Sequence, residues 1–250
     1  MSPAEFAALA LHANVRHLDG VERIKHGLTN QSWLVTIDGQ SVVVRISHPD
    51  DANLQIDRQS EASILQVATA AGIGPEVLLC DPQRRVLVTR YLGATWTDED
   101  AAKAENIERL GSVMRRLHAA MPPPNVHRVG LVRAIDDYAA TLSIAPDAAA
   151  RYSAQVLDDA GDGCLCHNDV HALNIVDDGT LRLIDWEYAG LGSPLFDLAS
   201  VCIYQRYDQS QRVRLLAAYG KQATLAELQR ACDVFDYIRE LWMTVRRRVD

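Results

Sequence analysis

The sequence predicts an α+β chain of two lobes, a small N-terminal lobe built on an antiparallel sheet and a larger, mainly helical C-terminal lobe. Three observations carry this expectation. Runs of β-prone residues, two of them joined by an Asp-Gly turn, crowd residues 21–46. Beyond Gly93 apolar residues recur at helical spacing, and a second Asp-Gly hairpin, at 174–184, interrupts that helical part. With 250 residues and 48% hydrophobic content the chain can bury a sizeable core, as one large domain or as two lobes.

Taken in order, residues 21–26, 31–37 and 41–46 read as three strands, the last two joined across Asp38-Gly39. Gly27-Leu28-Thr29-Asn30 lies between the first two. A turn of small residues there lets backbone N–H groups approach phosphate oxygens, although one glycine would equally make an ordinary hairpin turn. Val42-Val43-Val44-Arg45-Ile46 puts a cation at the end of an apolar run, where an unpaired charge is costly to desolvate. Glu61 precedes Ile64, Leu65 and Ala68 at three, four and seven positions and shares their inward stripe, so an Arg45–Glu61 pair is expected. The alternative is a strand-end Arg and a helix-surface Glu. Residues 86–93 read as a strand leaving the first lobe, which divides the chain into 1–92 and 93–250.

The helical part begins with a stripe of Ile107, Leu110, Met114 and Leu117 and is punctuated by Met121-Pro122-Pro123-Pro124-Asn125. A helix over 213–219 stops at Gly220, and Thr224-Leu225-Ala226-Glu227 has the form of a capping box. The last helix carries Leu225, Leu228, Cys232, Phe235, Ile238, Trp242 and Val245 on one face.

The chemistry concentrates around the second hairpin. Its β-prone runs, at 174–177 and 180–184, meet across Asp178-Gly179, so Asp169 and Asn174 lie in or at the end of the preceding loop and Asp185 returns to the neighbourhood of Asn174. Two acids and an amide so placed suit metal-assisted phosphoryl transfer. One Mg²⁺ could bridge the Asp185 carboxylate and the Asn174 amide oxygen while gripping nucleotide phosphates, leaving Asp169 free to orient a substrate hydroxyl.

His167-x-Asp169, Asn174 five residues after the Asp, and Asp185 beyond a hairpin resemble the catalytic loop and metal segment of protein kinases. The aminoglycoside phosphotransferase and choline kinase superfamily is more similar, on His167-Asn168-Asp169 through Asn174 and on Ile184-Asp185-Trp186-Glu187-Tyr188-Ala189. Bacterial thiamine kinases and choline/ethanolamine kinases resemble it most within that group. The resemblance implies a protein-kinase-like fold with ATP and Mg²⁺ as cofactors, Asp169 as base, and Asn174 and Asp185 as metal ligands. It implies that Asp197 braces the catalytic loop and that Thr29 and Asn30 belong to a nucleotide loop. It also sets Arg45 and Glu61 in place of the kinase lysine–glutamate pair, with Thr89 behind the adenine and the Arg90 to Leu92 backbone pairing with the base.

The activity so implied is transfer of the ATP γ-phosphoryl group to a small-molecule alcohol, of which cationic alcohols such as choline, ethanolamine or thiamine are the first expectation and aminoglycosides or sugars the second. Trp186, Tyr188, Tyr204, Tyr207, Tyr237 and Trp242 could offer ring faces to a cation, and Glu187, Asp233, Asp236 and Glu240 could offer charge. Glu187, two residues past Asp185, and Trp242, near the end of the last helix, are the leading substrate candidates. Two other classes stay open. His167-x-Asp169-x-His171 with Asp185 could be the Zn or Mn cluster of a hydrolase. A kinase-shaped, non-catalytic nucleotide-binding regulator is the other, although its usual mark is loss of the base or the metal Asp, and both are kept here.

A net charge of −8 argues against a broad nucleic-acid surface, and Arg246-Arg247-Arg248 suits a helix C-terminus better than a phosphate backbone. No apolar run approaches a membrane span, and the N-terminus lacks a basic-then-apolar signal pattern, so a cytoplasmic chain without a membrane partner is expected. Five cysteines without paired zinc spacing fit reduced thiols.

Overall fold

The computed structural model describes residues 1–12, 15, 17–25, 30–48, 56–156, 163–220 and 223–249. Strands β1 (Leu18–Ile24), β2 (Asn30–Ile37), β3 (Gln40–Ser47), β4 (Val77–Asp81) and β5 (Val86–Arg90) form an antiparallel sheet in the order β1-β2-β3-β5-β4. The β2–β3 turn has two residues, both left-handed, with φ of 48° at Asp38 and 76° at Gly39. This is the geometry Asp-Gly favours, because it matches the twist of the flanking strands.

Alternation then sorts the sheet's side chains. Val42, Val44, Val86 and Val88 pack with Val35 and Ile37 against Phe6, Ala7 and Ala10 of helix α1 (Pro3–Ala10). Val43, Arg45, Leu87 and Thr89 face the opposite side and line the main cavity. α1 precedes the first expected strand; its signal is Ser2-Pro3-Ala4-Glu5, a capping box with proline in the first turn.

Helix α2 (Arg58–Ala70), capped by Asp57, buries Glu61, Ile64, Leu65 and Ala68 on the expected face. Its apolar residues join Ile107, Leu110, Met114 and Leu117 of α4 (Ala104–Ala119), so the helix carrying Glu61 is anchored in the core of the helical part. The helical part also contains α3 (Asp98–Ala102), α5 (Leu131–Leu142), α6 (Pro146–Ser153), α7 (Pro194–Tyr204), α8 (Gln209–Tyr219) and α9 (Leu225–Val249). α4 and α8 cross closely at Gly111, where an added Cβ would lie 2.8 Å from the Ala218 Cβ.

α8 starts four residues before the expected 213, because Asp208 and Gln211 form a capping box ahead of its apolar positions. It ends at Gly220 with φ 77°, and the Thr224–Glu227 capping box is present, with Thr224 N–H donating to Glu227 (2.8 Å) and Glu227 N–H to Thr224 (3.2 Å). Two short ladders complete the fold, β6 (Cys164–Cys166) with β9 (Gly190–Gly192) and β7 (Ile175–Asp177) with β8 (Leu181–Leu183). Among the described residues no helix is long and apolar enough to cross a membrane.

Candidate active site

β6 runs directly into His167-Asn168-Asp169, and a buried carboxylate holds this loop from below. Asp197, in the first turn of α7, accepts the His167 N–H at 2.8 Å and the Asn168 N–H at 2.7 Å, and its Oδ2 lies 3.0 Å from His118 Nε2. Asn168 takes a left-handed backbone (φ 66°), a conformation asparagine tolerates better than most residues, and its side chain donates to the Tyr188 carbonyl at 2.9 Å. His167 Nε2 sits 3.0 Å from the Ile184 carbonyl and ties the loop to the far end of the hairpin. Both residues therefore brace.

The hairpin returns the chain as the sequence predicts. Ile184 N–H donates to the Asn174 carbonyl at 2.9 Å, so Asp185 follows immediately beside the loop. Asp185 itself has φ 63°, a backbone conformation that is costly for a non-glycine residue and that clusters at functional sites. Asn174 closes a single 3-10 turn, Ala172–Asn174, and its amide nitrogen donates to the Asp169 carbonyl (2.9 Å) and carboxylate (3.1 Å). The side-chain group left to hold a cation is the amide oxygen.

Asp169 has further partners. His171 Nε2 is 3.6 Å away, and the Tyr204 hydroxyl of α7 faces the same carboxylate closely enough to lower it. Burial acts to raise the Asp169 carboxyl, but the hydrogen bond and charge of His171, the charge of His167 and the Tyr204 hydroxyl outweigh it and hold it below the ordinary carboxylate range. His171 is shifted upward, burial being outweighed by Asp169. Tyr204, expected only as a ring face, thus acts through its hydroxyl. No local pattern links it to a residue 35 positions earlier.

The expected Arg45–Glu61 pair is present and buried. One Arg45 nitrogen, Nη2, reaches both Glu61 oxygens at 2.6 and 2.7 Å, while Nη1 donates to Asp185 at 3.0 Å. Arg58, which the sequence argument missed, extends this set. Its Nη1 lies 2.9 Å from Glu61 and 3.0 Å from Glu187, and its Nη2 donates to Asn30 at 3.0 Å. Asn30 in turn donates to Glu187 at 2.7 Å. The available signal was a cation in the first turn of a helix, where the dipole disfavours it unless acids lie nearby. Glu187 is therefore on the side of β2 and α2. Thr29 lies outside the described residues.

Asn30, Arg45, Asp169, Asn174, Asp185 and Glu187 line one cavity of about 1640 Å³, larger than the several hundred Å³ typical of a single small-ligand pocket. Thr89 and the Arg90 to Leu92 stretch line one end. Arg90 N–H is held by the Glu76 carbonyl (2.9 Å) and Tyr91 N–H by that of Ser41 (3.2 Å), so the N–H of this stretch without a backbone partner among the described residues is that of Leu92. The Arg90 side chain turns away to Glu76 and Gln40. Trp242 also lines the cavity, with Tyr138, Tyr188 and Ile238, its ring edge-on to Tyr188 at 6.4 Å.

The donor set fits a hard cation. Asp185 and Asn174 offer oxygens to the same cavity, and burial, with Glu61 and Asp169 nearby, holds the Asp185 carboxyl above its ordinary range against the pull of Arg45. A partly enclosed carboxylate beside other carboxylates is a place where positive charge is favoured. The hydrolase cluster finds no such geometry: among the described residues, the group bringing three His, Cys or carboxylate ligand atoms within 4.8 Å of one another is His118, Cys164 and Cys166. There both His118 nitrogens already have partners, Tyr219 at 2.7 Å and Asp197 at 3.0 Å.

Fold and site together have the plan of a phosphotransferase, with a sheet carrying the buried cation on one side of the cavity and an acid-bearing loop and hairpin on the other. Residues 20–231 match the phosphotransferase enzyme family (APH), and the chain belongs to that family. Among curated relatives, protein LicA of Haemophilus influenzae is 30% identical over 212 residues, covering 78% of this chain and 61% of its own. The chain thus spans about three-fifths of that relative's length. A thiamine kinase of Escherichia coli is 37% identical over 82 residues, 32% of this chain and 25% of the relative. Among solved structures, choline kinase LicA of Streptococcus pneumoniae superposes with a TM-score of 0.80 at 21% identity, over 98% of this chain and 89% of that one. A choline/ethanolamine kinase family protein of Mesorhizobium loti gives 0.75 at 29% identity, over 97% and 83%. The protein-kinase-like fold expected from the sequence is the fold of these neighbours.

Proposed function

We propose that this chain transfers the γ-phosphoryl group of ATP to the hydroxyl of a small cationic alcohol, with choline, ethanolamine and thiamine as the first acceptors to test. The observation that carries the reading is the meeting of Asp169, Asn174 and Asp185 with the buried Arg45–Glu61 pair around a single cavity, with Asp185 3.0 Å from Arg45. In this reading residues 1–92 form the nucleotide lobe and 93–250 the lobe that holds catalyst and acceptor. The Arg90 carbonyl and the Leu92 N–H pair with the adenine, and Thr29 and Asn30 belong to the phosphate side.

Asp169, held ionised by His171 and Tyr204, orients the acceptor hydroxyl and takes its proton late, which an ordinary carboxylate can do because the transition state is loose. Mg²⁺, held by Asn174 and Asp185, would supply positive charge to the nucleotide phosphates when bound. Arg45 adds fixed positive charge on the sheet side. Trp242 and Tyr188, with Tyr138, supply the aromatic wall that suits an ammonium or thiazolium group, and LicA and thiamine kinase among the relatives support that choice over an amino-sugar. In this reading the reaction runs in the cytoplasm, where ATP is supplied.

ADP release from ATP and Mg²⁺, measured with choline, ethanolamine, thiamine and an aminoglycoside in turn, tests the reading. Acceptor-dependent release with a cationic alcohol is the expected result. Nucleotide binding without release for any acceptor would favour the regulator class.

A further inference from the structure

Asp185-Trp186-Glu187 divides its side chains between two parts of the molecule. Trp186 is 1% exposed and points into the main core, with its indole N–H donating to the Leu183 carbonyl at 2.9 Å. The flanking carboxylates go the other way, each to a cation of the sheet side: Asp185 to Arg45 at 3.0 Å, and Glu187 to Arg58 at 3.0 Å. Glu61 joins the two rungs, since it contacts Arg45 at 2.6 Å and Arg58 at 2.9 Å. The second rung also holds Asn30, the first residue of β2, through Arg58 Nη2 (3.0 Å) and Glu187 (2.7 Å).

We propose that Arg58 is a positioning residue, which ties the start of β2, the first turn of α2 and the segment after β8 into one unit and thereby fixes where Asp185 stands toward the nucleotide and its ion. This rests on the site being nucleotide-binding. The Arg58 side chain is one-tenth exposed and that of Glu187 almost fully buried, so removal of the guanidinium leaves a buried carboxylate short of its counter-charge. Glu187 then shifts to relieve the lost ion pair, and Asp185, two residues away in a left-handed backbone, moves with it. The cation is not there merely to cap charge at a helix end, because a first-turn position opposes the dipole. Its contacts run to three different segments of the chain.

The geometry separates Arg58→Lys from Arg58→Met. Glu61 and Glu187 are both reached by the same nitrogen, Nη1, so a single ammonium can keep both ion pairs while the Nη2 contact to Asn30 is lost. Calorimetric binding of Mg·ADP should weaken about ten- to a hundredfold in Arg58→Met, the scale expected when a site is displaced by about an ångström. The loss in Arg58→Lys should stay within about threefold. KM for ATP should follow binding, while KM for the acceptor stays unchanged. Adding Glu187→Gln to Arg58→Met removes the stranded charge and should recover most of the affinity.

Wild-type affinity in a folded Arg58→Met protein, equal losses in the Met and Lys variants, or a double variant no better than Arg58→Met would each overturn the proposal. If Arg58→Met does not fold, Arg58→Lys in an Asn30→Ala background carries the test: Asn30→Ala already removes the Nη2 contact together with its own hydrogen bond to Glu187, so Arg58→Lys should add no further loss and additive losses contradict the proposal. Absence of Mg·ADP binding by the wild-type protein would instead overturn the reading of the site, a result distinct from any ratio between variants.

Discussion

Where β3, the start of α2 and the segment after β8 meet beside the cavity, Arg45, Arg58, Glu61, Asp185 and Glu187 are joined by four ion pairs of 2.6 to 3.0 Å. At the other end, Tyr188 Oη and Trp242 Nε1 are buried with no hydrogen-bond partner among the described residues. The first end is thus built for one arrangement, since moving any charge strands another. The second is walled by rings from the β8–β9 connection, α5 and α9, and burial pushes the Tyr188 hydroxyl well above the ordinary tyrosine range and that of Tyr138 to about 12. A shared nucleotide calls for the first kind of end. Acceptors that differ between relatives call for the second, where shape and ring faces can change without breaking a charge network.

The comparison breaks most decisively at Asp185. Asp185→Ala removes the proposed ion ligand together with the partner of Arg45, and metal-dependent turnover should fall to background; titration of ADP release against Mg²⁺ checks it, and turnover that still saturates with Mg²⁺ would place the ion elsewhere. Trp242→Ala acts at the other end. It should raise the acceptor KM about tenfold and leave the ATP KM unchanged, within the range of a desolvated cation–ring contact. Equal changes in both constants would mean that the two ends are not separate.

Between the ends, the Asp169–His171 pair predicts a smaller, pH-dependent effect. Asp169 is held below its unfolded value, so its stabilising contribution is present above about pH 3.9 and is lost as pH falls through the folded value. His171 is held above its own, so its contribution is complete below about pH 6.5 and is lost as pH rises through the folded value. The pair is therefore at full strength between those limits. Tm followed from pH 5 to 8 should fall for the wild-type protein relative to His171→Gln by the equivalent of about 1 kcal/mol or less, and a constant difference would mean that His171 does not carry charge.

The parts legible in the sequence were those with local causes. Asp38-Gly39 and Asp178-Gly179 specify tight turns by their own backbone preferences, and from the second turn the return of Asp185 to Asn174 follows. Arg45 and Glu61 were found because charges in apolar stripes need partners. The Arg58–Glu187 contact escaped for the opposite reason: it joins residues 129 positions apart, and Glu187 taken alone is simply an acid near the metal segment, which made it a candidate for the acceptor. The Tyr204 hydroxyl was hidden in the same way, at the end of a helix whose pattern is mostly apolar. α1 and the first turn of α8 were legible in principle, through capping boxes at Ser2 and Asp208 that precede short or weakly patterned helices.

Asp169→Asn tests the central claim most directly, because it keeps the shape of the side chain while removing its charge and its capacity to take a proton. Mg·ADP should bind Asp169→Asn as it binds the wild-type protein, while kcat for the best acceptor falls by about 100-fold or more. An Asp169→Asn enzyme that binds nucleotide normally and turns over at the wild-type rate would contradict the account.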